Sequence, residues 1–290
     1  PLHRSPVWSK PKLGPYYAFF LLPSFRMIYF CCFPLFFTDR GAMIKSNKRQ
    51  GRIHFMRTII WFIYFWGYLL AVLPKTHRMK KLTQAGKIEE RDAIVTEAVQ
   101  KWSRRLLKLA GVKVTVQGLE NIPEGAVVFV SNHQGLFDIP TLLGYLDRPH
   151  GLIAKKEAEK IPMIRTWMRY LGCIFLDREN ARSAMNSLRE GTELLKKGYS
   201  ITIFPEGTRS RSDQMGDFKS GAFKMAEKAK APLIPVRISG TYKVMEANHM
   251  WIKPANVTLT VLPPIPTAGL SREELKELGS AIREKIASAG

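Results

Sequence analysis

Two short stretches place reactive side chains directly after a predicted strand. In the first, VVFVSNHQGLFDIP, a run of β-forming residues from Val127 is followed by His133 and, five positions later, by Asp138. Residues five apart on a regular helix point about 140° apart, so the imidazole and the carboxylate can meet only if His133 lies in a loop and Asp138 in the first helical turn. Asp138 then accepts a hydrogen bond from one ring nitrogen, and the other nitrogen stays basic.

This pairing predicts a general base with the carboxylate that orients it. It corresponds to half of a catalytic triad, with no enzyme nucleophile beside it. The base would therefore act on a hydroxyl group that the substrate brings. By itself the His133–Asp138 spacing is a weak signal, and a histidine that caps a helix for structural reasons is the better explanation of an isolated pair.

The second stretch, ITIFPEGTRSRS, begins at Ile201 and has the same organisation. Pro205 ends the strand because it cannot donate to a ladder, and Gly207 allows a tight turn. Arg209 offers a planar set of donors suited to a phosphate, and Glu206 can hold either that guanidinium or the hydroxyl of an acceptor. A surface turn with an exposed ion pair is the alternative. Four basic residues around this strand end favour an anionic ligand: Arg209, Arg211, Lys219 and Lys224.

The elements that must position these stretches alternate between strand and helix. Strands are predicted at 113–117, 126–130, 152–154, 173–176, 200–204, 233–238 and 257–262. Helices are predicted to begin near residues 139, 162, 181, 219 and 271. This alternation predicts an α/β fold with a mixed, largely parallel sheet covered by helices. Ligands of such folds collect beyond the carboxyl ends of the strands, where both stretches lie.

The N-terminal part is apolar and basic at once. The first eighty residues hold thirteen Lys and Arg against one acid, Asp39, and residues 58–73 carry no charge. This uncharged stretch is shorter than the roughly 20 residues of a spanning helix, and basic residues on both sides give no orientation. We favour a helix that lies in one leaflet over a short spanning anchor, and a buried core helix is the third alternative. Four aromatic residues suit a membrane interface: Trp61, Tyr64, Trp66 and Tyr68.

Composition narrows the function classes. The 290 residues carry a net charge of +21 and are 46% apolar, which predicts a packed core. The charge permits a nucleic-acid-binding module, but no zinc-finger or aromatic RNA-binding pattern accompanies it. The absence of GxSxG, P-loop and GxGxxG motifs disfavours a serine hydrolase and nucleotide-driven chemistry. Three cysteines, Cys31, Cys32 and Cys173, form no disulfide framework and indicate a reducing compartment.

The predicted organisation has three parts. Residues 1–42 are rich in proline and aromatics without a clean period, and we interpret them as a non-native or disordered extension, with Met43 as the biological start. Residues 43–110 are predicted to form membrane-associated helices, the last of them amphipathic and basic. Residues 111–290 are predicted to form the catalytic domain.

Four ordered blocks resemble the 1-acylglycerol-3-phosphate acyltransferase family, bacterial type. NHQGLFDIP and FPEGTRSRS are similar to the first and third blocks of that family. AKKEAEKIPMIRTWMRYLGCIFLDRE from Ala154 resembles the second block, and APLIPVRISGTY from Ala231 resembles the fourth. The similarity runs from about residue 95 to 265. Within the first block we interpret Gln134 and Phe137 as positions where the side-chain type is free.

The resemblance implies a glycerolipid acyltransferase-like fold and a role for each site residue. His133 would be the general base and Asp138 its orienting partner. Substrate binding would fall to Arg178, Glu206, Gly207, Thr208 and Arg209. Trp167, Met168 and Tyr170 are candidates for lining an acyl tunnel, and as plain core residues they are at least as well explained.

The implied reaction transfers a fatty acyl group to the sn-2 hydroxyl of lysophosphatidic acid, which yields phosphatidic acid for phospholipid biosynthesis. The donor would be a thioester of acyl carrier protein or coenzyme A, used as a co-substrate, with no metal and no other cofactor. The resemblance places the enzyme at the cytoplasmic face of the cell membrane and implies no nucleic-acid partner. Glycerol 3-phosphate or another lysophospholipid is the alternative acceptor.

Overall fold

The computed structural model describes residues 48–177 and 180–289. Within these residues the strands form a single seven-stranded sheet in the order β1-β7-β6-β2-β5-β3-β4. The strands are β1 (Lys113–Gln117), β2 (Val128–Ser131), β3 (His150–Lys155), β4 (Ile174–Leu176), β5 (Ser200–Ile203), β6 (Leu233–Ser239) and β7 (Asn256–Val261). All neighbours pair in parallel except β6 and β7. Each of the seven predicted strands is present with its ends displaced by at most two residues, which confirms the α/β class.

Helices cover both faces of the sheet. Those described are α1 (Lys48–Ala71), α2 (Leu73–Gln84), α3 (Ile88–Ala110), α4 (Asp138–Tyr145), α5 (Pro162–Tyr170), α6 (Ala181–Lys196), α7 (Lys224–Ala229) and α8 (Arg272–Ser288). The helix predicted to start near residue 219 begins as a 3-10 turn, Ser220–Phe223, and continues as α7 from Lys224. Ser220 and Gly221 are weak helix formers, which fits the tighter turn. The predicted capping box at Ser271 is present at the start of α8.

The central strands carry the core. Every residue of β2 and β5 is buried, since helices pack on both faces of these strands. One apolar cluster joins β2 and β5 to α7 and α8, and a second joins β2, β6 and β7 to α4. The carboxyl ends of β2 and β5 are therefore held side by side by a rigid layer.

Helix α1 is longer than the uncharged stretch predicted from the sequence. It has 24 residues, because the basic residues before residue 58 continue the same helix. One face packs on the domain: the Trp61 indole donates to the Leu106 carbonyl (2.9 Å), and the Thr58 hydroxyl accepts from the Ile252 amide (2.9 Å). The other face exposes Ile53, Phe55, Met56, Ile59, Ile60, Ile63 and Leu70. The alternative of a fully buried core helix is therefore wrong.

By length and composition alone, the part of the chain described here contains one helical stretch fit to cross a membrane, residues 50–84. The predicted extension 1–42, the predicted start at Met43 and the predicted site residue Arg178 lie outside the described residues. The bounds proposed for the membrane-associated and catalytic parts stay a prediction.

Candidate active site

The two polar stretches meet at the carboxyl ends of two central strands of the sheet. Strands β2 and β5 are parallel neighbours with Val130 opposite Ile203, so their following loops start side by side. The loops then pair through their backbones: Ser210 N–H donates to the His133 carbonyl (2.8 Å), and Arg211 N–H donates to the Gln134 carbonyl (3.1 Å). The first and third blocks of the sequence therefore form one structural unit.

The His133–Asp138 pair has the geometry that the spacing predicts. His133 lies in the loop after β2, Asp138 is the first residue of α4, and His133 Nδ1 lies 2.7 Å from Asp138 Oδ2. Because a carboxylate faces Nδ1, that nitrogen carries the proton and Nε2 is the basic one. The His133 ring stacks on Phe204 with centroids 4.0 Å apart, and the histidine side chain is 16% exposed.

Asp138 is fixed by donors on both of its oxygens. The side chain is fully buried, and Oδ2 also accepts from the Gly135 N–H (2.9 Å). Oδ1 accepts a hydrogen bond from the Thr241 hydroxyl, which is itself fully buried. A buried carboxylate with three donors keeps one orientation, so the imidazole plane is held as well.

Glu206 lies beneath the same loop and contacts backbone amides. Its Oε1 accepts from the His133 N–H (2.7 Å) and its Oε2 from the Gly216 N–H (2.9 Å). The interpretation that Glu206 holds the guanidinium of Arg209 is wrong, because Arg209 Nη1 lies 3.3 Å from Glu246 Oε1. The role of Glu206 in acceptor binding stays a prediction. In the structure this residue fixes the backbone of the loop that carries the base.

The turn after β5 presents Arg209 at the surface. Gly207 has φ +74°, a left-handed conformation that favours glycine, and its N–H donates to the Phe204 carbonyl (3.0 Å). The side chain of Arg209 is 31% exposed and Thr208 is exposed, so both are open to a ligand. Burial is the main cause that raises the pKa of Glu246, the partner of Arg209.

Two residues interpreted as free in type have defined partners. Gln134 is 3% exposed; its Nε2 donates to Asp213 Oδ1 (3.0 Å), and its Oε1 accepts from the Gly240 N–H (2.9 Å). Phe137 is 1% exposed, and its ring centroid lies 5.4 Å from that of Trp61 on α1. Both side chains therefore make specific contacts in this chain, and the freedom of side-chain type at these positions of the family block stays a prediction.

Sequence reasoning also missed three residues that support the site: Asn132, Thr241 and Glu246. The Asn132 side chain bridges to β6, accepting from the Ile238 N–H (2.8 Å) and donating to the Ile238 carbonyl (2.9 Å). Thr241 lies inside the fourth block of the family resemblance, so the sequence did mark it as a candidate. Glu246 lies beyond that block, and no sequence pattern marked it. Within residues 48–177 and 180–289, no group of three or more His, Cys, Asp or Glu side chains is arranged to hold a metal ion.

Several known proteins are similar to this chain in sequence. A family model described as Acyltransferase matches residues 113–239, which contain both strand ends. The 1-acyl-sn-glycerol-3-phosphate acyltransferase of Borreliella burgdorferi is 34% identical over 181 residues, covering 62% of this chain and 72% of that protein. The chloroplastic 1-acyl-sn-glycerol-3-phosphate acyltransferase BAT2 of Brassica napus is 43% identical over 135 residues, covering 46% of this chain and 39% of that protein.

A solved structure is similar over most of the chain. The crystal structure of the 1-acyl-sn-glycerophosphate (LPA) acyltransferase PlsC from Thermotoga maritima has a TM-score of 0.66 and 30% identity, covering 81% of this chain and 95% of that chain. The protein belongs to the 1-acyl-sn-glycerol-3-phosphate acyltransferase family, as the resemblance of its four blocks predicted. It spans between 39% and 55% of the length of the first three curated relatives.

Proposed function

We propose that this protein transfers a fatty acyl group from an acyl thioester to the sn-2 hydroxyl of 1-acyl-sn-glycerol 3-phosphate, forming phosphatidic acid. The observation that carries the proposal is the base at one strand end, His133 oriented by the buried Asp138, beside Arg209 at the neighbouring strand end. The names of the relatives support the acceptor.

The base performs the proton transfer. Nε2 of His133 takes the proton of the sn-2 hydroxyl as its oxygen attacks the carbonyl carbon of the thioester. The tetrahedral intermediate collapses, the carbon–sulfur bond breaks, and the thiolate leaves with the proton that the imidazolium returns. The thioester is already activated, so no covalent enzyme intermediate is needed. General-base catalysis of this kind contributes about a hundredfold to ten-thousandfold.

Arg209 supplies the charge for the acceptor's phosphate. Its guanidinium is partly exposed, and only Nη1 is paired with Glu246. Its remaining N–H groups are therefore available to phosphate oxygens. Fixing the phosphate and the hydroxyl of one small molecule at two points brings the hydroxyl to the base, which contributes through proximity. Glu206, Gly207, Thr208 and Arg178 belong to the same proposal as acceptor-binding residues.

Helix α1 is the proposed contact with the membrane. Its apolar face is exposed while its opposite face is hydrogen-bonded to the domain, an arrangement that fits a helix lying in one leaflet at the cytoplasmic face. A spanning helix would have to leave these contacts with α3 and with Ile252. The acyl chain of the acceptor would stay in the leaflet while its headgroup reaches the site.

The donor is either acyl carrier protein or coenzyme A, since a basic protein surface attracts both an acidic carrier and a phosphorylated thioester. The deciding experiment incubates purified protein with each labelled donor and with lysophosphatidate, glycerol 3-phosphate or lysophosphatidylcholine. We expect labelled phosphatidic acid with lysophosphatidate and at least one donor. Preferred acylation of another acceptor would transfer the proposal to that acceptor, and the absence of any acylated product would refute it.

Arg209→Ala separates binding from chemistry in the same assay. The variant should raise the KM for lysophosphatidate about tenfold to a hundredfold, the range of one charge-assisted hydrogen bond. Arg78→Ala, which removes an exposed ion pair between α2 and Glu90 on α3, is the control and should leave this KM unchanged. An unchanged KM for Arg209→Ala would count against the phosphate role.

A further inference from the structure

Glu246 is a carboxylate buried directly beside the proposed site. It begins the short 3-10 helix Glu246–Asn248 after β6, and its side chain is 2% exposed. Oε1 accepts from the Leu136 N–H (2.7 Å) and pairs with Arg209 Nη1 (3.3 Å). Oε2 is buried and has no hydrogen-bond partner among the described residues. Burying a carboxylate in this way is unfavourable, so its position calls for a function.

The base loop is shaped to admit this carboxylate. A Cβ placed on Gly135 would come within 2.5 Å of Glu246 Oε2, so only glycine leaves room for Glu246 there. The Gly135 N–H donates to Asp138, and the next N–H, of Leu136, donates to Glu246. The loop that carries His133 therefore packs on the same carboxylate that holds Arg209.

We infer that Glu246 is a positioning residue that holds the guanidinium of Arg209 in the orientation that binds the phosphate of the acceptor. This inference rests on the proposed function. An arginine side chain has many rotamers, and ordering it at the moment of binding opposes binding. A buried carboxylate on Nη1 orders it beforehand and leaves the other guanidinium donors free for phosphate oxygens. Because Glu246 also holds the loop of His133, it fixes the separation between the base and the cation.

A carboxylate next to a phosphate site also repels the phosphate, and the two effects have opposite signs. If positioning dominates, removing the charge raises the KM for lysophosphatidate. If repulsion dominates, removing the charge lowers it. Glu246→Gln has the same size and keeps an oxygen for the Leu136 N–H, so it isolates the charge without emptying a buried site.

The experiment measures steady-state kinetics of Glu246→Gln and Glu246→Ala with lysophosphatidate as the varied substrate. We expect the acceptor KM to rise roughly fivefold to tenfold in Glu246→Gln, the difference between a charged and a neutral acceptor of the Arg209 bond. Glu246→Ala should raise it further, to about tenfold to a hundredfold. The KM for the thioester donor should not change in either variant. In an Arg209→Ala background, Glu246→Gln should add nothing further to the acceptor KM.

Asp92→Asn is the matched control. Asp92 pairs with Arg91 at 2.6 Å, is 28% exposed and accepts from the Tyr199 hydroxyl, outside the two strand-end loops. It should lower the thermal midpoint without changing the acceptor KM. A folded Glu246→Gln with an unchanged or lowered acceptor KM would overturn the inference, as would an increase that persists in full without Arg209. A wild-type protein that does not acylate lysophosphatidate would instead refute the proposed function.

Discussion

Adding a single methyl group at Gly135 perturbs the site without replacing a charged residue. In Gly135→Ala the new Cβ would lie 2.5 Å from Glu246 Oε2, 2.8 Å from Cδ and 2.9 Å from Oε1. Gly135 does not have a left-handed φ, so the effect comes from this contact alone. Since Cβ contacts are ordinary from about 3.4 Å, the carboxylate must move by about 0.9 Å (3.4 − 2.5).

We expect this shift to break the hydrogen bond from the Leu136 N–H to Oε1. The bond is 2.7 Å long, and a displacement of about 0.9 Å directed along it would take it beyond the range of a hydrogen bond. A hydrogen bond to a charged group contributes about 1.5–3 kcal/mol, which is the loss of unfolding free energy we expect for Gly135→Ala. The acceptor KM should rise as well, because the same movement disturbs the partner of Arg209.

Urea unfolding and steady-state kinetics check both effects. Gly221→Ala is the control, since its Cβ meets nothing within 4 Å and its φ is not left-handed; it should leave the acceptor KM unchanged. The double variant Gly135→Ala/Glu246→Ala should lose less stability than the sum of the single variants, because the second change removes the clash. A Gly135→Ala protein as stable as the wild type, with the same acceptor KM, would refute this reasoning.

Three further predictions concern other buried groups. Thr241→Val removes the hydroxyl that donates to buried Asp138 and should lower both kcat and, by about 1.5–3 kcal/mol, the unfolding free energy, with Thr241→Ser restoring both; an unchanged kcat would contradict this. Burial lowers the pKa of His150 to about 4, so the unfolded chain binds its proton first, and stability should be full above pH 6.5 and fall by about 2–4 kcal/mol towards pH 4. In urea unfolding of His150→Gln at the same pH values, the unfolding free energy should not show this fall. The same pH dependence in the variant would contradict the assignment to His150. Burial raises the pKa of the Cys173 thiol to about 12, so iodoacetamide should alkylate it only in urea, as peptide mass spectrometry can check. Alkylation of Cys173 in the folded protein would contradict this prediction.

Local sequence patterns predicted the strands and the His133–Asp138 pair, because both depend on residues that are close in the sequence. The β-forming run up to Ser131 and Pro205, which cannot donate to a ladder, mark where two strands end. The His133–Asp138 contact spans only five residues, so helix geometry sufficed to predict it. The pairing of β2 with β5 then brings the two ends together.

The supporting residues could not be predicted in the same way. Thr241 meets Asp138 across 103 positions, and Glu246 meets Leu136 across 110, through contacts that exist only once β6 has paired with β2. The contact of Phe137 with Trp61 on α1 likewise joins segments that lie far apart in the chain. Sequence patterns specify which residues start and end an element, but the packing of distant segments specifies what a loop side chain touches.

The central claim is that the imidazole of residue 133 is the general base. The most direct measurement compares the rate of lysophosphatidate acylation by His133→Ala with that of the wild type at saturating substrates, with circular dichroism to confirm the fold and His77→Ala, exposed on α2, as the control. We predict a loss of at least about a hundredfold in kcat for His133→Ala and none for His77→Ala. A folded His133→Ala enzyme that turns over near the wild-type rate would contradict the account.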